Sequence, residues 1–224
     1  MKKLPCSIDP VVFALIDNKT HVLLRERDKN SEAFPGVFAL PGGLMSPEED
    51  KDLSCAANRI LRQKTGLQSF YFEQLGAFGP HIDPRGPTLV VAYMAVMAMD
   101  AQTQPLDSQS KWFPIDKVLK MKLPFEHNAT VKIAVERLRN KVNYSSLPAH
   151  LIAEEFTLPQ LQKAYESVLD IKLDKSAFRK KIAEADFIEK INGKFLSGAA
   201  FRPAQVYRLK LSSGLHNFSS NLRR

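Results

Sequence analysis

Two kinds of hydrophobic pattern divide the chain. Short apolar runs at residues 11–16 and 21–27, around the turn formers Asp17-Asn18-Lys19-Thr20, predict a β-hairpin. A short strand over 38–40 enters Pro41-Gly42-Gly43. Ser46-Pro47-Glu48-Glu49 has the make-up of a capping box, with Ser at the N-cap, Pro at the first helical position and Glu at the third. The helix it predicts runs to about Lys64 and stops at Gly66. Strands are expected over 70–79 and 88–99, joined by the turn-rich PHIDPRGP. Residues 126–142 read as a long amphipathic helix with Ala129, Ile133, Val135 and Leu138 on its apolar side. From Phe156 the order changes to helix, turn, basic helix and two strands. Thr157-Leu158-Pro159-Gln160 opens a helix ending near Asp170. Leu173 or Asp174 opens a second, through about Ala185. Strands over 187–191 and 206–211 flank a loop over 192–205. The shift in composition after Asn143-Tyr144-Ser145-Ser146 puts a domain boundary near residue 150, giving segments 1–150 and 151–224 of an α+β protein.

Composition narrows the setting. With 224 residues, 44% hydrophobic and 25% charged, the chain reads as an ordinary soluble globular protein. No apolar run approaches the roughly 18 residues of a membrane span. The run at 11–16, bracketed by Asp9 and Asp17, is too short for a signal peptide. Two cysteines, Cys6 and Cys55, are too few for a disulfide framework and point to reduced thiols and a cytoplasmic location. Residues 172–210 hold ten Lys and Arg against four Asp and Glu, a net of +6 out of +8 for the whole chain. Such a charge suggests a polyanionic partner.

Residues 38–67 read FALPGGLMSPEEDKDLSCAANRILRQKTGL, a layout that resembles a Nudix box. The working pattern is G-x5-E-x7-R-E-U-x-E-E-x-G-U, with U a bulky aliphatic residue. Arg59, Leu61, Gly66 and Leu67 fit its second half, while Ile60, Gln63 and Lys64 stand where three carboxylates belong. Those positions share one helix face, which in a working enzyme offers hard oxygens to Mg²⁺. Fifteen residues separate Gly43 from Arg59 where the pattern has thirteen. The reading is a Nudix-like α/β/α sandwich with a mixed sheet that keeps a pocket and has lost metal-dependent hydrolysis. The acidic cluster Glu48, Glu49, Asp50 and Asp52 suits a helix start without any metal. Arg59 is expected to orient the loop through a carboxylate or the turn carbonyls.

Helix, turn, basic helix and β-hairpin is the order of a winged helix-turn-helix. Lys175, Ser176, Arg179 and Lys180 on the basic helix, with Lys194, Arg202 and Arg208 on the hairpin, are the DNA-binding candidates. Lysines there neutralise phosphates, and Ser176 and Arg179 can read base edges. Phe178, Ile182 and Phe187 are spaced as core residues. A basic module that binds another protein is the alternative.

FTLPQLQKAYESVLDIKLDKSAFRKKI and FRPAQVYRLK, together with YFEQLGAFG, DPRGPTLVVAY, WFPIDKV and LPFEHN, resemble the Nudix-related transcriptional regulators of NAD metabolism over about residues 10–210. The resemblance implies a homodimeric repressor on a palindromic operator in double-stranded DNA. Its effector would be ADP-ribose, with NAD or a phosphorylated sugar as variants, and it would need no cofactor. One departure is the wing, Gly198-Ala199-Ala200-Phe201-Arg202-Pro203-Ala204, which lacks the first Arg of a Gly-Arg-Gly-Arg-Pro-Ala motif.

The ligand-binding candidates are Arg25, Arg27, Gly42, Gly43, Phe78, His81 and Arg85. Arg25 and Arg27 alternate on a strand and share a face, where guanidinium suits diphosphate oxygens or simply meets solvent. Gly42 and Gly43 admit close phosphate approach or merely a tight turn. Phe78 is placed to stack on adenine or to close a strand end. His81 and Arg85 lie on the loop beside the pocket, and His127 reads as a satisfied structural histidine. A Nudix hydrolase with residual ADP-ribose pyrophosphatase activity is the competing function.

Overall fold

The computed structural model describes residues 4–67, 71–99, 108–198, 201–210, 214–219 and 222. Strands β1 (Cys6–Ile16) and β2 (Lys19–Glu26) form the expected hairpin. Its two-residue turn places Asp17 and Asn18 in the left-handed region, at φ 49° and 57°, as the twist of a tight hairpin requires. Then follow β3 (Phe38–Ala39), β4 (Gly43–Leu44), α1 (Leu53–Thr65), β5 (Tyr71–Asp83), β6 (Gly86–Met97), β7 (Ser110–Pro114), α2 (Ile115–Val118) and α3 (His127–Val142). The sheet runs β3-β2-β1-β6-β5, with β4 on β1 and β7 on β2. It is mixed, because β1 and β6 are parallel and the other pairs antiparallel.

Strand alternation explains the layering. Val11 and Phe13 of β1 enter a core shared with Val131, Val135 and Leu138 of α3. Val12 and Ala14 point the other way, to Leu61 of α1, while Ile8 meets Ala56, Ala57 and Ile60. The sheet is therefore enclosed between α1 and α3, the expected sandwich.

Three expectations need correction. The helix α1 opens at Leu53, with Asp52 as N-cap accepting from the Cys55 amide at 2.8 Å. Ser46-Pro47-Glu48-Glu49 instead forms a separate turn, because the buried Asp50 carboxylate takes the Ser46 amide (2.8 Å) and is drawn toward Arg59. On α3 the buried face is Val131, Ala134, Val135, Leu138 and Val142; Ala129 is exposed and Ile133 is 37% exposed. The turn-rich stretches 80–87 and 192–205 are largely strand, with β5 and β6 meeting at a two-residue turn between Asp83 and Gly86.

A 3₁₀ turn (Leu147–Leu151) leads to β8 (Glu155–Thr157), α4 (Leu158–Leu169), α5 (Lys175–Ala185), β9 (Ile188–Gly198) and β10 (Phe201–Leu209), the last two forming a wing in a β8-β10-β9 sheet. Thr157 and Gln160 make the predicted capping box, and Asp174 caps α5 through the Ala177 amide at 2.8 Å. Tyr165 is fully buried, donates to the Ser145 carbonyl (2.7 Å) and meets Phe178 edge-on at 5.4 Å. The α4 helix also touches the first hairpin: Ser167 Oγ donates to the Asn18 carbonyl (2.7 Å) and Thr20 Oγ1 to the Ser167 carbonyl (3.3 Å). Phe218 stacks on Tyr165 and tilts against Phe187, while the Leu222 amide donates to Asn143 (2.7 Å). One apolar core thus runs from β1 through α3 into α4 and α5. Among the described residues no helix is long and apolar enough to cross a membrane.

Candidate ligand cavity and nucleic-acid interface

At the end of the sheet where β2 and β5 finish and β1 and β6 begin, the chain encloses a cavity of about 690 Å³. This is the size of a small-molecule site. Ser7, Asp9, Arg25, Arg27, Pro41, Gly42, Gly43, Lys64, Asp83, Arg85, Thr88, Phe125 and His127 line it. Of the predicted ligand residues, Arg25, Arg27, Gly42, Gly43 and Arg85 come together here. Phe78 does not: it packs against the main apolar core. The β5 register slips between Gln74 and Gly76 and again between Phe78 and His81, and such bulges change which face a residue serves. The backbone of His81 pairs with Thr88; its side chain lies outside the described residues.

The buried pair Asp9 and His127 forms part of the wall. His127 Nδ1 accepts the Leu40 amide (3.1 Å), so the ring proton sits on Nε2, which faces Asp9 Oδ2 at 3.3 Å. Ser7 Oγ donates to Asp9 Oδ1 at 2.8 Å. The Asp9 carboxylate lies so close to Gly42 that any Cβ there would overlap it. Gly42 is thus required for this approach, and the expected role of His127 as a satisfied structural histidine matches its contacts.

Each arginine of the cavity has a distinct employment. Arg25 donates to the Lys64 carbonyl through Nε (3.1 Å) and also bonds Gln109, tying β2 to the end of α1. Arg27 donates Nε to the Ala33 carbonyl (2.9 Å), and its terminal nitrogens make no described hydrogen bond. Burial, with the nearby Arg85 charge second, lowers the Arg27 pKa from its ordinary value. Arg85 grips Asp83 with Nε (2.8 Å) and one terminal nitrogen (2.6 Å), holding that carboxyl below the usual carboxylate range. Both guanidinium groups lie over the ring of Phe125, at 4.9 and 5.5 Å from its centroid.

On α1, behind the glycine turn, Ile60 is buried and its side-chain carbons lie 3.3–3.5 Å from where a Cβ on Gly43 would stand. Gln63 accepts from Arg59 (2.9 Å). Arg59 holds Asp50 with two bonds of 2.6 Å and the Leu44 carbonyl at 3.1 Å, the orienting contacts expected of it. Its guanidinium holds the Asp50 carboxyl below the usual range. Among the described residues no three His, Cys, Asp or Glu side chains gather as a metal cage.

The second surface is α5 and the wing. Phe178 and Ile182 bury one side of α5, and Lys175, Ser176, Arg179 and Lys180 are exposed. On the wing, Lys194 is paired with Glu155, and Arg208 Nε bonds Glu189 at 2.7 Å. The side chain of Arg202 lies outside the described residues. Sequence reasoning did not find Phe125 or Asp9. The segment LPFEHN was visible, but nothing in it announces the left-handed backbone that aims Phe125 at the cavity.

Comparison with known proteins adds independent findings. The NUDIX domain model matches residues 8–133, and the model for the NrtR DNA-binding winged helix domain matches 148–209. The chain is 34% identical to the ADPR responsive transcriptional repressor NtrR of Acinetobacter baylyi, over 95% of this chain and 84% of that one. Shewanella oneidensis NrtR superposes with a TM-score of 0.87 at 34% identity, covering 97% of this chain and 99% of that one. Its complex with a 27mer DNA gives 0.86 at 33% identity with the same coverage. The NUDIX domain of that protein complexed with ADP ribose gives 0.55 at 35% identity, covering 62% of this chain and 90% of that one.

Proposed function

The chain belongs to the NrtR family of Nudix-related transcriptional regulators, and from that premise we propose that it is a DNA-binding repressor of NAD metabolism genes, released or retuned by ADP-ribose. It acts as a cytoplasmic homodimer on a palindromic operator. Residues 1–150 sense the effector and dimerise, and 151–224 bind DNA. The observation that carries this reading is the outer face of α5, where Lys175, Ser176, Arg179 and Lys180 are exposed together over a buried Phe178 and Ile182. Such a helix presents cations to phosphates and Ser176 and Arg179 to base edges in the major groove.

The cavity supports the sensing half. Arginines and aromatic carbon on its wall suit a nucleotide diphosphate. The residues at the box positions do not fit a divalent cation. Ile60 is buried apolar side chain, Gln63 is engaged by Arg59, and Lys64 carries a like charge. No hydrolytic step is therefore assigned, and the cavity serves binding alone. ADP-ribose acts by binding two domain arrangements with different affinity, and a tenfold shift needs only about 1.4 kcal/mol of difference.

Fluorescence anisotropy of a labelled duplex from the gene's own upstream region, at fixed near-physiological salt, tests the reading. Specific binding over a scrambled duplex that ADP-ribose reverses is the expected result. Absence of preference over scrambled DNA overturns it. Release of AMP from ADP-ribose on adding Mg²⁺ would favour the hydrolase instead.

A further inference from the structure

The geometry points to a seat for the effector's diphosphate between Arg27 and Arg85 on the ring of Phe125, rather than on the box helix α1. This inference rests on the sensing role above and specifies where and how the cavity holds its ligand. It makes the site a metal-independent phosphoanhydride site built on the wall opposite α1.

The box turn is poorly suited to an anion, although Lys64 at the end of α1 also lines the cavity. The Asp9 carboxylate lies against Gly42, so a phosphate approaching the Pro-Gly-Gly turn meets a negative charge. Ile60 fills the space behind Gly43, and the Arg59 guanidinium is committed to Asp50 and Leu44. Arg25 is likewise engaged, by the Lys64 carbonyl and Gln109.

The other wall is arranged for one. Phe125 and Glu126 occupy consecutive left-handed positions (φ 54° and 59°) at the start of α3, a backbone that non-glycine residues avoid. Phe34, also left-handed at φ 48°, meets the Phe125 ring edge-on at 4.8 Å. This support fixes the ring, and the ring in turn carries two guanidinium groups over it. N–H groups remain for oxygen acceptors: both terminal nitrogens of Arg27 and Nη1 of Arg85 make no described hydrogen bond. Two like charges gathered at a half-buried site repel each other, and a bound dianion reverses the sign of that interaction. Phe125 thus acts as a positioning residue for the two arginines and offers its remaining surface to the ligand.

Isothermal titration of the full chain with ADP-ribose in EDTA, with AMP as the single-phosphate comparison, tests this seat. Wild type is expected to bind without metal and to bind AMP at least about tenfold more weakly. Phe125→Leu and Arg27→Lys should each raise the ADP-ribose Kd about tenfold or more with operator binding and melting temperature preserved. Gln63→Ala, on the exposed side of α1, should leave the Kd unchanged. If Gln63→Ala weakens binding while Phe125→Leu and Arg27→Lys do not, the diphosphate lies on α1 and the seat is overturned, with the sensor reading intact. A requirement for Mg²⁺ also overturns it. If wild type binds no ADP-ribose under either condition, the effector assignment falls with it. Arg27→Lys keeps the charge and removes the fork, so it reports on the seat even where Phe125→Leu disturbs the fold.

Discussion

In the cavity, Arg25 and Arg85 are each held by named acceptors at 3.1 Å or less, and Arg27 is anchored at its Nε. On α5, Lys175, Arg179 and Lys180 project into solvent, and the ion pair described for these three is Lys180 with Glu184 at 4.0 Å. The same residue types are therefore arranged in two different ways. Fixed guanidinium groups lose little further freedom when one small rigid ligand arrives, and they select its shape. Solvated cations keep their freedom and answer a charged polymer whose phosphates recur along a line. The wing lies between these extremes, since Lys194 and Arg208 already carry acidic partners.

The largest test of this contrast is Phe178→Ala. Removing a side chain that is 2% exposed should destabilise by about 3–5 kcal/mol. Because one core joins both regions, calorimetry should show a single transition moved downward, with operator and effector binding lost together on heating. Two separated transitions would break the idea of a shared core. Arg179→Ala should leave the melting temperature unchanged and weaken specific DNA binding by about 1–3 kcal/mol, as measured by anisotropy on specific and scrambled duplexes. Loss of ADP-ribose binding in parallel would count against separate tasks.

A milder effect is expected from Glu73, which accepts from Tyr71 (2.6 Å), Arg137 (2.6 Å) and Lys141. Burial raises its pKa, but these donors outweigh burial and leave it below the ordinary value. A depressed carboxylate stabilises the fold fully above its unfolded pKa of about 4.3 and loses that contribution as pH falls through the lower folded value. Glu73→Gln should flatten the acid limb of the melting-temperature profile and leave the neutral limb parallel to wild type. The smallest change is Glu155→Gln, which frees Lys194. It should steepen the slope of log K against log salt by at most about 0.9, the share of one extra phosphate, at unchanged stability. An unchanged slope would show that Lys194 stays off the DNA.

The winged helix was legible because its signals are local. Thr157 with Gln160, and Asp174, cap helices through side chains three residues from their targets. The box helix misled for the complementary reason: Ser46 and Glu49 have capping chemistry, but Asp50 is claimed by Arg59, nine residues onward, and the true cap is Asp52. The strands at 80–83 and 192–198 were hidden by Pro, Gly and Asn in stretches whose pairing partners alone define them. The cavity was half legible. The arginines at the end of β2 and just beyond it, and the glycine turn, can be read from order in the chain, whereas Phe125 and Asp9 join the site only when the sheet end, the α3 start and the box turn converge.

The strand β2 carries a last consequence. At one end Thr20 and the adjoining turn hydrogen-bond to Ser167 of α4; at the other stands Arg25, with Arg27 just beyond. A paired strand neither stretches nor shortens, so it couples the two ends as a strut and leaves their surfaces independent. Substitutions at the cavity end can change which metabolite is read without altering how the DNA-binding module is seated. Descendants of such a chain could exchange one vocabulary for another while keeping the grammar that connects signal to gene.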